Sequence, residues 1–344
     1  MSSSSTTASV SCVNDTLPSR LAAVRALIGQ GRAESAVAIA RETSHLYPGI
    51  AAVALALGEA LLAAGHLPTA IAEFQRALRL DPDLADARYG VGCAWLEAGE
   101  PDRALDAFAH IDAARAPAGL PEKISAAEAM KKAKRSDPNY VRHLFDQFSA
   151  DYDARMLGQL GYSAPRILRH LAALVLPRQR DLAVLDLGCG TGLSGAAFRS
   201  MASRLDGIDL SPRMIEKAQN RGIYDSLAQA DIETALAGGS GEYDLVLAAD
   251  TLVYLGDLGP AFAGVARSLK PGGHFLFTVE KKKGEGFELG PRRRWRHSQA
   301  YLRGLAADNG MDICGLLDCV PRTEAGEPVP GLAAALARTG RIAN

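Results

Sequence analysis

A glycine-rich turn lies near the middle of the chain, where residues 184–192 read Val-Leu-Asp-Leu-Gly-Cys-Gly-Thr-Gly. Glycines at alternating positions let the backbone turn sharply and bring its N–H and C=O groups against a ligand. The turn follows an apolar run and precedes an amphipathic segment, and ligands of open α/β sheets bind at the carboxyl ends of the strands. The pattern therefore predicts a ligand site between a strand and a helix.

Three details separate this turn from a dinucleotide-binding turn. A GxGxxG sequence would place its third glycine at Leu193, whereas here the glycine is Gly192, one residue early. Asp186 precedes the turn within the strand, where its carboxylate can attract the amino group of an amino-acid moiety. Asp209 ends the next apolar run, where it is placed to bind both hydroxyls of a ribose. A nicotinamide oxidoreductase is therefore the weaker alternative.

These features resemble the class I S-adenosylmethionine (SAM)-dependent methyltransferases, and the resemblance covers about residues 140–337. Further motifs follow in order. Residues 230–232 (Ala-Asp-Ile) come where the family's acidic residue meets the adenine amino group, 243–247 match its fourth strand, and 269–273 (Leu-Lys-Pro-Gly-Gly) match the turn before its fifth. The resemblance implies SAM as cofactor and a seven-stranded, mainly parallel, Rossmann-like α/β domain.

The cofactor contacts that we expect lie on the turn and on the segments after the next strands. They are Asp186, Gly188, Cys189, Gly190, Gly192, Asp209, Leu210, Met214, Asp231, Ile232 and Ala249. Alternatives remain for three of them. Asp209 can cap a helix, Asp231 can be a surface charge, and Met214 can belong to the core.

A segment before the sheet, residues 145–153 (Phe-Asp-Gln-Phe-Ser-Ala-Asp-Tyr-Asp), resembles the N-terminal lid of many small-molecule enzymes of this family. In those relatives an aromatic residue closes over the methionine end of SAM. Tyr152 is our candidate for that contact and Tyr162 the weaker second. Plain helix packing is the alternative for Tyr152.

The catalytic candidates lie after the fourth and fifth strands. Methyl transfer is an in-line displacement in which the protein mainly aligns the reacting atoms. An oxygen or nitrogen acceptor can need a base, whereas a thiolate or carboxylate needs none. The candidates are Asp250 and Tyr254 after the fourth strand, Glu280 at the end of the fifth, and His297 in the next connection. Asp250 can instead cap a helix, and a lone histidine is more often structural.

A basic run, Arg292-Arg293-Arg294-Trp295-Arg296, and the lysines at 281–283 flank the connection that leaves the fifth strand. Arginines on this face would suit an acidic substrate or partner, such as a carboxylate, a phosphate or an acidic peptide. A solvated charged loop is the alternative.

The elements that must position these residues alternate along the second part of the chain. Apolar runs at 183–187, 205–210, 244–249 and 273–279 are separated by amphipathic segments at 193–202, 212–221, 257–269 and 298–309. This alternation predicts a mainly parallel sheet covered on both faces. The apolar stretches 311–320 and 331–337 add a predicted antiparallel pair, joined by a loop-like connection.

The first third of the chain repeats itself. Pro48 and Pro82 are 34 residues apart, and the copy that begins at Ala51 has small and large residues that resemble the tetratricopeptide repeat. We expect three repeats over residues 17–118, a linker or solvated helix at 119–139, and the methyltransferase domain at 140–344. The resemblance implies that the groove of the repeats binds a protein or peptide. A scaffold without a peptide ligand is the alternative.

The composition bounds the remaining possibilities. The chain has 344 residues, enough for two domains, and its formal net charge of -1 argues against binding of nucleic acid through bulk electrostatics. Its five cysteines are scattered without a CxxC pair, so we expect no disulfide framework, no metal site and a reducing, cytoplasmic compartment. The Ser/Thr-rich residues 1–16 read as a disordered tail, and no apolar run approaches the ~20 residues of a membrane span.

The two resemblances together are typical of bacterial proteins described as predicted methyltransferases with tetratricopeptide repeats. The sequence leaves three hypotheses open: an enzyme whose repeats recruit a protein or peptide, a small-molecule enzyme whose repeats serve only assembly, and a non-catalytic adaptor that binds SAM.

Overall fold

The computed structural model describes residues 16–177 and 179–339. The predicted disordered tail, apart from Thr16, lies outside the described residues. The chain forms two compact units, which divide between Lys132 and Ala133. Each unit has its own hydrophobic core.

The first unit consists of helices in antiparallel pairs. Its helices are α1 (Leu17–Gly29), α2 (Ala33–Leu46), α3 (Ala51–Ala63), α4 (Leu67–Leu80), α5 (Ala85–Glu97), α6 (Pro101–Ala109) and α7 (Leu120–Lys132), with a 3₁₀ turn at Ala113–Arg115. Close packing depends on small residues opposite large ones: a Cβ on Gly58 would lie 2.6 Å from a ring atom of Phe74, and a Cβ on Gly92 would lie 2.1 Å from Phe108. This is the packing that the repeat pattern predicts.

Helix α7 occupies most of residues 119–139, for which the sequence predicts a linker or a solvated helix. Leu120 and Ala127 on α7 are buried in one cluster with Phe108. The charged residues at the end of α7 are exposed, whereas the apolar face of the helix is buried. The helix therefore belongs to the core of the first unit.

The second unit is built on one twisted sheet. The strands are β1 (Leu182–Leu187), β2 (Ala202–Asp209), β3 (Ser226–Gln229), β4 (Tyr243–Ala248), β5 (Leu269–Lys281), β6 (Phe287–Leu289), β7 (Trp295–His297), β8 (Met311–Cys319), β9 (Thr323–Glu324), β10 (Glu327–Pro328) and β11 (Gly331–Arg338). The main path runs β3-β2-β1-β4-β5-β11-β8. Strands β1 to β5 pair in parallel, and β11 is antiparallel to both of its neighbours.

The predicted α/β fold and the antiparallel pair at the end of the chain are therefore confirmed. Two short strands were not predicted: β7 pairs in parallel with β5, and β6 pairs with β7. Strands β9 and β10 form a separate small hairpin inside the predicted loop between β8 and β11.

The helices of the second unit cover the sheet and precede it. They are α8 (Pro138–Phe148), α9 (Tyr152–Ala154), α10 (Ala164–Val175), α11 (Leu193–Phe198), α12 (Pro212–Asn220), α13 (Ile232–Leu236), α14 (Gly259–Ser268) and α15 (Gln299–Asp308), with a π turn at Arg155–Gln159 and 3₁₀ turns at Arg199–Met201, Leu252–Tyr254 and Pro291–Arg293.

The buried side chains of β5 show how the two faces of the sheet are filled. Phe275 and Phe277 pack with Phe262 of α14 in one cluster, whereas Leu276 packs with Leu168 of α10 in another. Successive side chains of a strand point to opposite faces. Helices therefore cover both faces, and the carboxyl ends of the parallel strands remain free to form a site.

Candidate active site

A cavity of about 850 Å³, partly open to solvent, lies at the carboxyl ends of β1, β2 and β4. Most of the predicted site residues line it. These are Tyr152, Gly188, Cys189, Gly190, Asp209, Leu210, Asp231, Ile232, Ala249, Asp250 and Tyr254, together with the second lid candidate Tyr162.

The glycine turn forms the floor of the cavity because two of its residues have no side chain. Gly188 has a φ of 63°, and a Cβ there would lie 2.3 Å from Cγ2 of Thr251. Gly190 has a φ of 55°, and apart from its two neighbours in the chain no other described residue has an atom within 4 Å of the place where its Cβ would be. The turn thus leaves an open cradle above Gly190, where a ligand can approach the backbone.

Asp209 connects this turn to the loop after β2. Its Oδ2 accepts a hydrogen bond from the Gly190 N–H at 2.9 Å, and its Oδ1 accepts one from the Ser211 N–H at 2.8 Å. Burial raises the pKa of Asp209 to about 6, although these backbone hydrogen bonds oppose the shift. The alternative of a helix cap is wrong, because Ser211 caps α12 by accepting from the Met214 N–H.

Three predicted cofactor contacts do not line the cavity. Asp186 is fully buried beneath the turn, where it accepts a hydrogen bond of 2.7 Å from the Tyr224 hydroxyl, and burial raises its pKa to about 7. Met214 is fully buried and belongs to the core, the alternative that the sequence left open. Gly192 precedes α11 and faces Arg221 and Tyr224 rather than the cavity.

Asp231 lines the cavity but is already bound on two sides. Its Oδ1 caps α13, accepting from the N–H groups of Glu233 and Thr234. Its Oδ2 pairs with Arg135, which also pairs with Glu233. Burial opposes ionisation, but the Arg135 guanidinium holds the pKa of Asp231 below its usual value. Arg135 was missed from the sequence because it lies in a charged run that resembles a linker.

An aromatic wall closes another side of the cavity. Phe145 contacts Tyr152 and Tyr254 edge to face, with ring centroids 6.2 Å and 5.5 Å apart. The Tyr162 hydroxyl donates a hydrogen bond to the Ala249 carbonyl at 3.2 Å. Burial raises the pKa of all three tyrosines, so their hydroxyls stay protonated at neutral pH. The Tyr254 hydroxyl accepts a hydrogen bond from the Arg294 guanidinium, which opposes the shift at Tyr254.

Two aspartates hold the lid segment against the site. Asp146 accepts a hydrogen bond of 2.5 Å from the Ser211 hydroxyl, next to Asp209. Asp153 accepts one of 2.5 Å from the Thr191 hydroxyl of the glycine turn and pairs with Arg221. The predicted lid is therefore fixed at two points along the cavity.

Asp250 stands in a strained conformation at the end of β4. Its φ is 57°, which is uncommon for a residue with a side chain, and its N–H donates to the Thr278 hydroxyl at 2.8 Å. Its carboxylate pairs with Arg322, which is 1% exposed and also pairs with Glu280 and Glu324. Strain of this kind concentrates at functional sites.

The basic run that follows β6 is mostly paired within the protein. Arg292 and Arg294 both pair with Glu324, and the Nε atom of Arg296 lies 3.6 Å from a Glu280 oxygen. The run is thus neither an open cluster of free arginines nor a plain solvated loop. Three of its four arginines contact one of two glutamates, which they share with Arg322.

His297 is buried in β7 and does not line the cavity. Its Nε2 lies 2.9 Å from the Gly256 carbonyl oxygen, and its ring stacks on Tyr301 at 5.9 Å. Burial lowers the pKa of His297 to about 4. The prediction of His297 as a catalytic base is therefore wrong, because the ring is enclosed in the packing of β7 against α15.

Among the described residues, no group of three or more His, Cys, Asp or Glu side chains is placed to hold a metal ion. Within the same part of the chain, every helix is too short or too polar to span a bilayer.

Comparison with known proteins supports two domains. Residues 185–277 match the family model of a methyltransferase domain, and residues 21–85 and 55–119 match that of the tetratricopeptide repeat. Human methyltransferase-like protein 27 is 36% identical over 108 residues, which cover 30% of this chain and 44% of that protein. The malonyl-[acyl-carrier protein] O-methyltransferase of Enterobacter lignolyticus (strain SCF1) is 35% identical over 142 residues, 40% of this chain and 55% of that protein.

The chain thus spans about half the length of the curated relatives that it matches. Among solved structures, the match to the 1,6-didemethyltoxoflavin-N1-methyltransferase of Burkholderia thailandensis covers 60% of this chain and 92% of that chain, with 20% identity and a TM-score of 0.47. The two family matches confirm that tetratricopeptide repeats precede a methyltransferase domain in this chain.

Proposed function

We propose that this chain, a class I methyltransferase domain preceded by tetratricopeptide repeats, binds SAM in the cavity and transfers its methyl group to an acceptor. The observation that carries the proposal is the open cradle above Gly190, with the Asp209 carboxylate beside it. A Cβ would fill this cradle, and a nucleoside can occupy it against the bare backbone.

The lining residues fit the parts of the cofactor. Each Asp209 oxygen accepts one backbone hydrogen bond and keeps a further lone pair, so the carboxylate can accept from two ribose hydroxyls. Leu210 and Ile232 offer apolar surface to the adenine, and Tyr152 closes the cavity on the side where the lid lies. When bound, SAM supplies an electrophilic methyl carbon.

The acceptor that suits this cavity is already nucleophilic at neutral pH. Tyr152, Tyr162 and Tyr254 keep their protons, and Asp250 is held in an ion pair by Arg322. No histidine lines the cavity among the described residues. A carboxylate or thiolate needs no base to attack the methyl carbon, so we propose an acceptor of this kind.

The repeats are proposed to recruit a protein or peptide that carries the acceptor. Helix α3 packs between α1 and α5, and Glu59 on α3 lies near Arg25 of α1 and Asp86 of α5, so the first helices of the three repeats are adjacent. Surfaces formed by adjacent helices of stacked repeats hold extended partners.

A cytoplasmic location is part of the same proposal. Cys93, Cys189, Cys314 and Cys319 are all unpaired, as expected for a protein in a reducing compartment.

Calorimetric titration with SAM tests the proposed cofactor. The wild-type chain is expected to bind, and Asp209→Asn to bind about tenfold to a hundredfold more weakly, because charge-assisted hydrogen bonds to the ribose are lost. Asp206→Asn is the matched control, since Asp206 lies on the same strand and bonds the Tyr243 hydroxyl outside the cavity. No heat with the wild type, or equal affinity for wild type and Asp209→Asn, would refute SAM binding at this site.

A labelled-methyl assay on lysate, separated into protein and metabolite fractions, tests the acceptor. Glu59→Arg is expected to reduce the label in the protein fraction, whereas Asp83→Arg, in the exposed turn before α5, leaves it unchanged. Label in the metabolite fraction alone would favour the small-molecule enzyme whose repeats serve assembly. No transfer by a chain that binds SAM would favour the non-catalytic adaptor.

A further inference from the structure

A second groove adjoins the cavity on the outer side of Tyr162. Tyr162 and Leu193 line both of them. The remaining walls of the groove come from α10, from the π turn before it and from α11. The groove and the proposed methyl-transfer site therefore share a wall formed by Tyr162 and Leu193.

Three cationic or hydrogen-bonding side chains of α10 line this groove, namely Arg166, Arg169 and His170. Their spacing of three and four residues places them on one face of the helix. Among the described residues none of the three has a hydrogen-bond or ion-pair partner, unlike Arg322 and Arg135 at the cavity. The part of the chain that the structure describes contributes no carboxylate to the groove.

The residues around Arg166, Arg169 and His170 do not neutralise their charge, and one of them is apolar and exposed. A shallow depression on the other side of Arg166 and His170 contains Asp318, but the Asp318 carboxylate already bonds the Lys281 ammonium at 2.6 Å. Leu157, which also lines the groove, is 59% exposed. The groove therefore combines uncompensated positive charge with an exposed apolar side chain.

We propose that this groove binds an anionic group, a phosphate or a carboxylate, next to an apolar part of the same ligand. Guanidinium groups bind both anions through paired N–H donors. That the ligand is the methyl acceptor, or a group carried with it, rests on the proposed function, because Tyr162 joins the groove to the cavity. The anion site itself does not depend on methyl transfer.

The test uses the full chain labelled on histidine and followed by NMR. The chain has seven histidines, and His170→Gln assigns the signal of His170. Pyrophosphate and citrate are titrated separately at constant ionic strength, and sodium chloride is the control for unspecific screening. We expect a saturable shift of the His170 signal with at least one of the two anions, and the better ligand distinguishes phosphate from carboxylate recognition.

The double variant Arg166→Ala/Arg169→Ala is expected to weaken anion binding about tenfold or more, because two charge-assisted contacts are lost. Arg303→Ala, which removes an exposed arginine of α15, is expected to change nothing. SAM calorimetry on the double variant reports whether the fold and the cofactor site are intact. A shift that does not saturate, or equal binding by wild type and double variant, overturns the anion site even if SAM binds normally.

Discussion

Arg322→Met removes the buried cation that holds Asp250 in place. Glu324 keeps its pairs with Arg292 and Arg294, and Glu280 keeps Arg296 nearby, but Asp250 loses the ion-pair partner that the structure gives it. Breaking one side of a buried ion pair costs about 3–5 kcal/mol. Because two of the three carboxylates retain partners, we expect a loss of about 3 kcal/mol in the unfolding free energy of the second unit.

The assay is thermal unfolding followed by tryptophan fluorescence. The chain has two tryptophans, Trp95 in the first unit and Trp295 in the second, so a Trp95→Phe background leaves Trp295 as the reporter of the second unit. For a domain of this size, about 3 kcal/mol lowers the midpoint by roughly 6–12 °C.

The matched rescue variant is Asp250→Asn/Arg322→Met, which removes the unpaired charge together with the cation. We expect it to recover part of the lost stability, because the remaining buried group is neutral. An unchanged midpoint in Arg322→Met, or no recovery in the double variant, would refute the view that Arg322 compensates the charge of Asp250.

Three further predictions concern separate parts of the chain. Asp186→Asn keeps an acceptor for Tyr224 and removes a buried charge. Because the pKa of Asp186 in the folded protein is about 7, above the ordinary 3.8, the stability of the wild type falls as the pH rises between these values. Denaturant unfolding should therefore show that the variant is more stable than the wild type by a few kcal/mol at pH 8 and by less at pH 5, and equal gains at the two pH values would contradict this. Gly92→Ala should destabilise the first unit by about 1–3 kcal/mol in the same measurement through its contact with Phe108, and Phe108→Leu should restore part of that loss if overpacking is the cause. Asp153→Asn should speed SAM release in stopped-flow measurements severalfold by weakening the link between lid and glycine turn, whereas an unchanged release rate would mean that this link does not restrain the lid.

The parts of the site that the sequence predicts are the local ones. The turn around Gly188 and Gly190 and the acidic residue that ends β2 lie in short motifs whose backbone geometry follows from a few neighbouring residues. The alternation of apolar runs predicts the sheet for the same reason. The contacts of Arg135 with Asp231 and of Arg322 with Asp250 could not be predicted, because they join residues 96 and 72 positions apart in the sequence.

His297 is a residue that the sequence places in the site and the structure does not. Its position after the fifth strand is where a catalytic residue of this fold would be expected, but an unpredicted strand, β7, carries it into the core against Tyr301. A strand of three residues is too short to produce a period-two pattern of its own, so the sequence gives no signal that would separate a buried histidine from one in a loop.

The two aspartates at the cavity also differ in what they can offer a ligand. Asp209 accepts backbone N–H groups and, among the described residues, pairs with no cation, so its remaining lone pairs can bind hydroxyl groups without displacing a charged partner. One Asp231 oxygen accepts hydrogen bonds from two N–H groups at the start of α13, and the other pairs with Arg135. An adenine amino group at Asp231 would therefore have to compete with a charged guanidinium, and the apolar surfaces of Leu210 and Ile232 are the more available contacts at that end. The ribose end of the cavity is preorganised, whereas a base amino group at Asp231 would share the carboxylate with the Arg135 guanidinium.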